Sequence, residues 1–388
     1  MRVGLPRTLR QTLHWPVLAP VAGLLLLGVL ALSGIELRLA GRWVGGWHMK
    51  QLTGIALGVA VALAALVVPY KVFLRHAYLL YAGNLALLVL VLVAGATRNH
   101  SSRWLNLFGF DFQPSELMKI TLVVTLARFI RFRSSYKTFR GLGTPFLLTL
   151  VPMALILKQP DLGTALLFVP LLFTLLFVAG ARSRHLLLIV ALGCASLYPV
   201  YHYGLRPYQK DRVQGYLAQL PVARDYFSKG HRKLLERDEL YQVHNSKTAI
   251  GEGGITGVGV GAGQDHALYW VPEHHTDFIF AAVGNELGFL GSLATILLFA
   301  WLALSILGVA TRQRDPAGRL ICVGVFALFA SQALINMSMT IGVLPVTGMT
   351  LPFVSYGRSS LLVSILAVAL VCNVAGRPSF EFGRGDFD

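Results

Sequence analysis

Four ionisable side chains stand in a sequence that is otherwise mostly apolar, and their types and spacing are those of working chemistry. Asp277 lies in Pro-Glu-His-His-Thr-Asp-Phe (272–278), directly before a long apolar run. An acid there can serve as a helix N-cap by satisfying free backbone N–H groups. The helix dipole would then keep its carboxylate ionised, and an ionised carboxylate at a membrane surface is what a general base requires. Asp161, in Lys-Gln-Pro-Asp-Leu-Gly-Thr (158–164), stands at the end of another apolar run, where capping is the plainer reading. Glu116 and Lys119 are three residues apart and share one helix face as an ion pair. Such a pair either pins two helices together or walls a polar cavity that touches a charged substrate. Pro114 and Ser115 precede it as a helix start, with Pro in the first turn. His274 and His275 lack the HExxH spacing of a zinc helix, so no metal site is predicted from them.

The elements that must hold these groups are membrane spans. Of 388 residues, 55% are hydrophobic and only 13% are charged, about half the charged fraction of a soluble chain. Mean hydropathy is +0.63. Ionisable groups at membrane depth are costly, which makes each one a functional candidate. Runs long enough to cross about 30 Å of hydrocarbon occur at 17–33, 52–70, 77–96, 144–157, 165–180 and 185–201. Three more follow: a long one starting near 277, then 320–341 and 359–374. Arg2, Arg7 and Arg10 precede the first run, but no small-residue cleavage site follows it, so it reads as a retained first helix.

Charge decides a tenth span. The segment 112–130 contains Glu116 and Lys119, and its hydropathy is weak. Arg128, Arg131, Arg133, Lys137 and Arg140 lie at its end, and short loops this basic stay in the cytoplasm. If 112–130 crosses, the count is ten and both termini are cytoplasmic. The net charge of +16 is then mostly topology and attraction to anionic headgroups. Positive charge divided among loop ends disfavours nucleic acid as a partner. The fold class is all-α, with residues 1–388 forming one membrane domain and one large extracytoplasmic loop at about 204–276.

Within that loop, 224–239 reads as a polar, partly helical surface segment, followed by seven glycines between 251 and 263. Neither a dinucleotide nor a P-loop spacing is present, so tight turns packed against a neighbouring surface are expected. Cys194, Cys322 and Cys372 fall inside apolar runs and read as small hydrophobes. The last loop, 342–357, has two prolines and several glycines and cannot be regular helix. Irregular backbone at this depth is tolerated only where protein buries it or water fills a cavity, which places a pocket at the outer face.

Four strings together carry a family resemblance: FQPSE at 112–116, KQPDLGTA at 158–165, PEHHTDFIFA at 272–281, and LPVTG with LPFVSYG across 344–357. In order and placement they resemble the SEDS family, the shape, elongation, division and sporulation proteins, which are peptidoglycan glycosyltransferases. LPF before SYG, and KQPDLGT in place of an EPD form, are more similar to the elongation-type members than to the division-type ones. The resemblance implies a ten-span fold, polymerisation of lipid II, and Asp277 as the catalytic acid of the HTDF string. It also implies that Arg103, Glu116, Lys119, Asp161 and Arg212 line the central cavity. A class B penicillin-binding protein transpeptidase is the implied partner, in the bacterial cytoplasmic (inner) membrane. Departures are Arg358 within Gly-Arg-Ser-Ser, Asn245-Ser246 for a glutamine-serine pair, and Asn285-Glu286-Leu287-Gly288 for an EELG string.

The implied reaction suits these residues. Transfer from a sugar diphosphate lipid needs the acceptor hydroxyl deprotonated as it attacks, while the diphosphate leaves without protonation. One carboxylate suffices, unlike the two of glycosidases. Arg, Lys or a divalent cation such as Mg2+ must meet the phosphate charge. Direct attack inverts the anomeric carbon. A flippase for lipid-linked precursor would use a similar cavity, although it has no need of an ionised base at the outer surface. A non-catalytic transpeptidase scaffold would tolerate loss of every cavity charge.

Overall fold

A computed structural model describes residues 13–40, 46–94, 96–98, 101–107, 110–133, 135–204, 238–262 and 273–377, with single residues 210, 217, 268 and 271. The first spans are α1 (Trp15–Ala40) and α2 (Trp47–Val67), then a short α3 (Tyr70–Arg75) and α4 (Ala77–Ala94). A small antiparallel sheet follows, made of β1 (Ala96–Arg98), β2 (Ser101–Leu107) and β3 (Phe110–Phe112) in that order. Next come α5 (Pro114–Arg131), α6 (Gly143–Lys158), α7 (Leu162–Val178) and α8 (Ser183–Pro199). The chain resumes with α9 (Asp238–Glu252), α10 (Ile279–Arg312), α11 (Pro316–Thr340) and α12 (Arg358–Ala375).

Ten of these helices match the ten expected spans, and the chain is a polytopic all-α membrane protein. Among the described residues, six segments can cross a membrane by length and composition, and 77–93, 162–178 and 183–196 are shorter apolar helices. The tenth, α5, is too charged for hydropathy to find, yet all but three of its 18 residues are buried. It packs against α4, α6, α7, α11 and α12, so its polar face looks into protein. Pro114 occupies its first turn, as expected. Apolar side chains exposed on the outer helices, among them Leu79, Val93, Leu187 and Leu304, face where hydrocarbon lies. On α2, Gly54 and Gly58 let α12 approach: a Cβ at Gly54 would sit 3.2 Å from Leu361 Cδ2, and one at Gly58 2.5 Å from Ile365 Cδ1. Small residues four apart are the usual means of close helix packing in lipid.

Polar fastenings close the bundle where α11 begins. Asp315 caps α11 through the Ala317 N–H at 3.3 Å, accepts from the Tyr70 hydroxyl at 2.8 Å, and lies 3.4 Å from Arg131 Nε. Asn373 accepts from the Tyr70 N–H at 3.0 Å and donates to the Ala65 and Val68 carbonyls.

The glycine-rich stretch has a specific task. The helix α10 breaks at Gly288, whose φ of 65° and ψ of −159° are not helical. The loop after α9 supplies what the break removes. Val258 and Gly259 donate to the Asn285 and Glu286 carbonyls at 3.0 and 3.1 Å, and Phe289 and Leu290 donate to Gly254 and Ile255 at 2.8 and 3.1 Å. At Gly257, φ is +85° and a Cβ would overlap the Glu286 carbonyl, so only glycine fits. The expected segment 224–239 lies outside the described residues except for its last two, which begin α9.

Candidate functional site

Three irregular segments converge at one end of the helices: the turn 273–278, the loop 341–357, and the sheet with the starts of α5 and α7. Two prolines and the positive-φ glycines 342 and 348 keep 341–357 from forming helix.

The turn is held from all sides. The Glu273 carbonyl accepts from the N–H groups of Thr276, Asp277 and Phe278 at 3.1, 3.1 and 3.3 Å. The next carbonyls point outward to three different donors. His275 accepts from the Tyr356 N–H at 2.9 Å, Thr276 from the Ser355 hydroxyl at 2.6 Å, and Asp277 from Asn336 Nδ2 at 2.8 Å. A turn so constrained presents its side chains in one orientation.

The structure corrects the expectation for Asp277. It does not cap α10: the cap position is Phe278, and no side chain bonds the first turn. Nor does a helix dipole hold it ionised. Burial and the Glu273 carboxylate push the Asp277 carboxyl up to about 7, against the pull of Arg103, with Asp161 adding to the rise. A carboxyl there is half-ionised near neutrality, which suits a base that must accept and release a proton. Gly348 lies against it, where a Cβ would stand 3.5 Å from Asp277 Oδ2. Next to it, His275 is kept neutral: burial and His274 lower it to about 4, against Glu273. Among the described residues no group of three His, Cys, Asp or Glu side chains could hold a metal ion.

Asp161 does cap its helix, accepting from the Thr164 N–H at 3.2 Å, and it is buried. Its other oxygen accepts from Gln113 Nε2 at 3.1 Å and Ser115 Oγ at 3.2 Å. Arg103, on β2, donates Nε to the Gln159 carbonyl at 3.0 Å and Nη2 to Pro160, which ties the sheet to the Asp161 turn. Glu116 and Lys119 form the expected pair at 2.8 Å with both side chains buried. Lys119 Nζ also donates to Gln332 Oε1 at 3.3 Å, and Gln332 Nε2 donates to the Thr350 carbonyl at 2.8 Å. Asp277, Asp161 and Arg103 thus share one electrostatic environment, and Gln332 links the Lys119 pair to the same loop. Arg212 lies outside the described residues.

The sequence reading missed several groups. Arg358, noted only as a departure, lies 3.7 Å from Asp111 on β3, and Ser359 donates to the Asp111 carbonyl at 2.6 Å, so both fasten the sheet to α12. Trp47 stacks on His275 with centroids 4.3 Å apart and planes at 14°. The Trp47 N–H donates to Glu36 Oε1 at 2.7 Å, while Glu36 also pairs with His48. Glu36, three residues past the first apolar run, was the available signal. Asn336 and Gln332, four apart in α11, gave no signal beyond being amides in a span.

Comparison with known proteins places this architecture. A family model described as FtsW, RodA and SpoVE, cell cycle protein, matches residues 12–379. The chain is 34% identical over 355 residues to a probable peptidoglycan glycosyltransferase FtsW from Geobacter metallireducens, covering 90% of each. It is 34% identical over 330 residues to stage V sporulation protein E from Bacillus subtilis, covering 84% of this chain and 86% of that one. Among solved structures it is similar to a chain of a peptidoglycan synthase complex that coordinates polymerization and crosslinking. There the TM-score is 0.76 and identity 30%, with 93% of this chain and 97% of that chain covered. It is also similar to the rod shape determining protein RodA of Thermus thermophilus, with a TM-score of 0.68, identity of 27% and coverage of 95% and 98%.

Proposed function

Because the chain belongs to the FtsW/RodA/SpoVE family of cell cycle proteins, the SEDS family, we propose that it is a peptidoglycan glycosyltransferase that polymerises lipid II on the outer face of the cytoplasmic membrane. The observation that carries the reading is the Asp277 turn. A carboxyl pushed up to about 7 sits on a turn fastened to α11 by Asn336 and to the 341–357 loop by Ser355 and Tyr356.

In this reading the acceptor hydroxyl gives its proton to Asp277 as its oxygen attacks the anomeric carbon of the donor. The bond from that carbon to the diphosphate oxygen breaks, and the electron pair leaves with the diphosphate. Attack on the face opposite the leaving group inverts the centre. Lys119 and Arg103 supply positive charge to the diphosphate. Asp161 keeps Ser115 and Gln113 in place beneath the donor, and its oxygens are committed to those bonds. A divalent cation such as Mg2+ would enter with the diphosphate, since the described residues do not form a cage for one. No step above depends on it.

The proposal extends to a role in cell elongation, supported by the Leu-Pro-Phe and Lys-Gln-Pro-Asp strings. It also extends to a class B penicillin-binding protein transpeptidase as partner, supported by the similarity to a synthase complex. Residues 1–388 act as one membrane domain with both termini cytoplasmic. Purified chain in liposomes, given lipid II, should produce glycan polymer. Movement of lipid II between leaflets without polymer would favour transport instead.

A further inference from the structure

We propose that Asn336 is a positioning residue for the transfer reaction, its amide fixing the main chain of Asp277 and the 347–350 loop in one mutual register. The inference rests on Asp277 being the base.

Asn336 lies on α11 with no exposed surface. Its Nδ2 donates to the Asp277 carbonyl at 2.8 Å and to the Met349 carbonyl at 2.5 Å, so both donors are spent on the two strands that meet at the carboxylate. Its Oδ1 is buried and has no partner among the described residues. A buried acceptor left unsatisfied is a net cost to the fold. Leucine, of nearly the same shape, would avoid that cost, so packing does not account for the amide. Its two donor bonds do.

The position also fits. One helical turn earlier on α11, Gln332 joins Lys119 to Thr350. One turn later, Thr340 Oγ1 bonds the Asn336 carbonyl, and the Thr340 carbonyl accepts from buried Ser246 of α9. Residues four apart share a helix face. α11 therefore carries a polar seam from the Glu116–Lys119 pair to the outer loop helix, with Asn336 at the level of Asp277. A base displaced by about 1 Å loses on the order of 10²-fold in rate.

The test uses the full chain in liposomes with lipid II. Asn336→Leu should lower kcat by about 10–100-fold and leave KM within about two-fold. Its acid limb should move below that of the wild type as water reaches the carboxyl among Glu273, Arg103 and Asp161. A purely structural role would not move that limb. If Asn336→Leu fails to insert, Asn336→Ser is read by the same criteria. Wild-type kcat and an unmoved acid limb in either folded variant would overturn the proposal, as would a change in KM alone. Asp277→Asn is run alongside. If it polymerises normally, the base assignment itself fails; if it is inactive while Asn336→Leu is normal, only the positioning role falls.

Discussion

Lys119 Nζ stands 2.8 Å from Glu116 Oε2 on a helix almost wholly enclosed by its neighbours, and the same ammonium reaches Gln332 on α11. The pair therefore both neutralises two buried charges and connects two helices to the loop over the site. Removing one partner of a buried pair costs about 3–5 kcal/mol, because the other charge is left uncompensated. Alanine at either position should reduce folded yield and polymerisation. Exchanging the two residues should restore folded yield, since the Gln332 amide can turn to offer N–H or oxygen. Restored folding without restored polymerisation would identify Lys119 as a direct contact to the diphosphate. Melting temperature and polymer yield of the three variants decide it.

Asp277→Asn removes the proton acceptor and little else, because the carboxylate caps no helix. Its folded value near 7 lies above the ordinary 3.8, so the native state binds the extra proton across that window. The carboxyl's contribution to stability falls as pH rises from about 4 to 7. The amide variant should thus melt no lower than the wild type at pH 8, yet polymerise about 10²–10⁴-fold more slowly. A well-folded variant with near-normal polymer yield would exclude the residue from the chemistry.

Glu273 is the charged neighbour that contributes most to the rise at Asp277. Glu273→Gln keeps an oxygen for Thr276 Oγ1, which now donates to it at 3.0 Å. Loss of the negative charge lowers the Asp277 value, so more base is ionised at acidic pH. The acid limb of polymerisation should shift to lower pH, raising the ratio of rates at pH 6 and pH 8. An unshifted limb would mean that burial alone sets the carboxyl.

Loop charge together with ten spans predicts position 137 in the cytoplasm and position 229, outside the described residues, on the other side. Cysteine at each position should separate cleanly with an impermeant thiol reagent on intact cells: labelled at 229, unlabelled at 137. Equal labelling would require a different number of crossings.

Hydropathy made nine spans legible, and charge placement made the tenth legible, because both act on stretches of consecutive residues. Asp161 and the Glu116–Lys119 pair were readable for the same reason: a cap and an i,i+3 pair are local. What escaped was long-range. The bond from Asn336 to the Asp277 carbonyl joins residues 59 apart in sequence. The stack of Trp47 on His275 joins the second helix to the Asp277 turn, and no local pattern encodes it. The Asp277 cap was misjudged because acid followed by an apolar run looks like a helix start. A tight turn instead closes on the Glu273 carbonyl through the N–H groups of 276–278, and the helix begins one residue later with Phe278 at the cap position. The strands at 96–112 were hidden by their brevity.

On the proposed function, the stitched break in α10 sets the height of the Asp277 carboxyl above the bilayer. Unbroken, its 34 residues would form a rod about 50 Å long, well over the roughly 30 Å of hydrocarbon. Its outer tip would stand far above the level at which a diphosphate anchored by a polyprenyl tail can sit. Redirecting the chain at Gly288 leaves about 37 Å below the break for the crossing itself and sets the outermost residues against α9. The glycine loop therefore works as a length adjuster. If the chain acts on a lipid-anchored substrate as proposed, any change in register at 254–259 would raise or lower Asp277 relative to a substrate whose depth the membrane dictates.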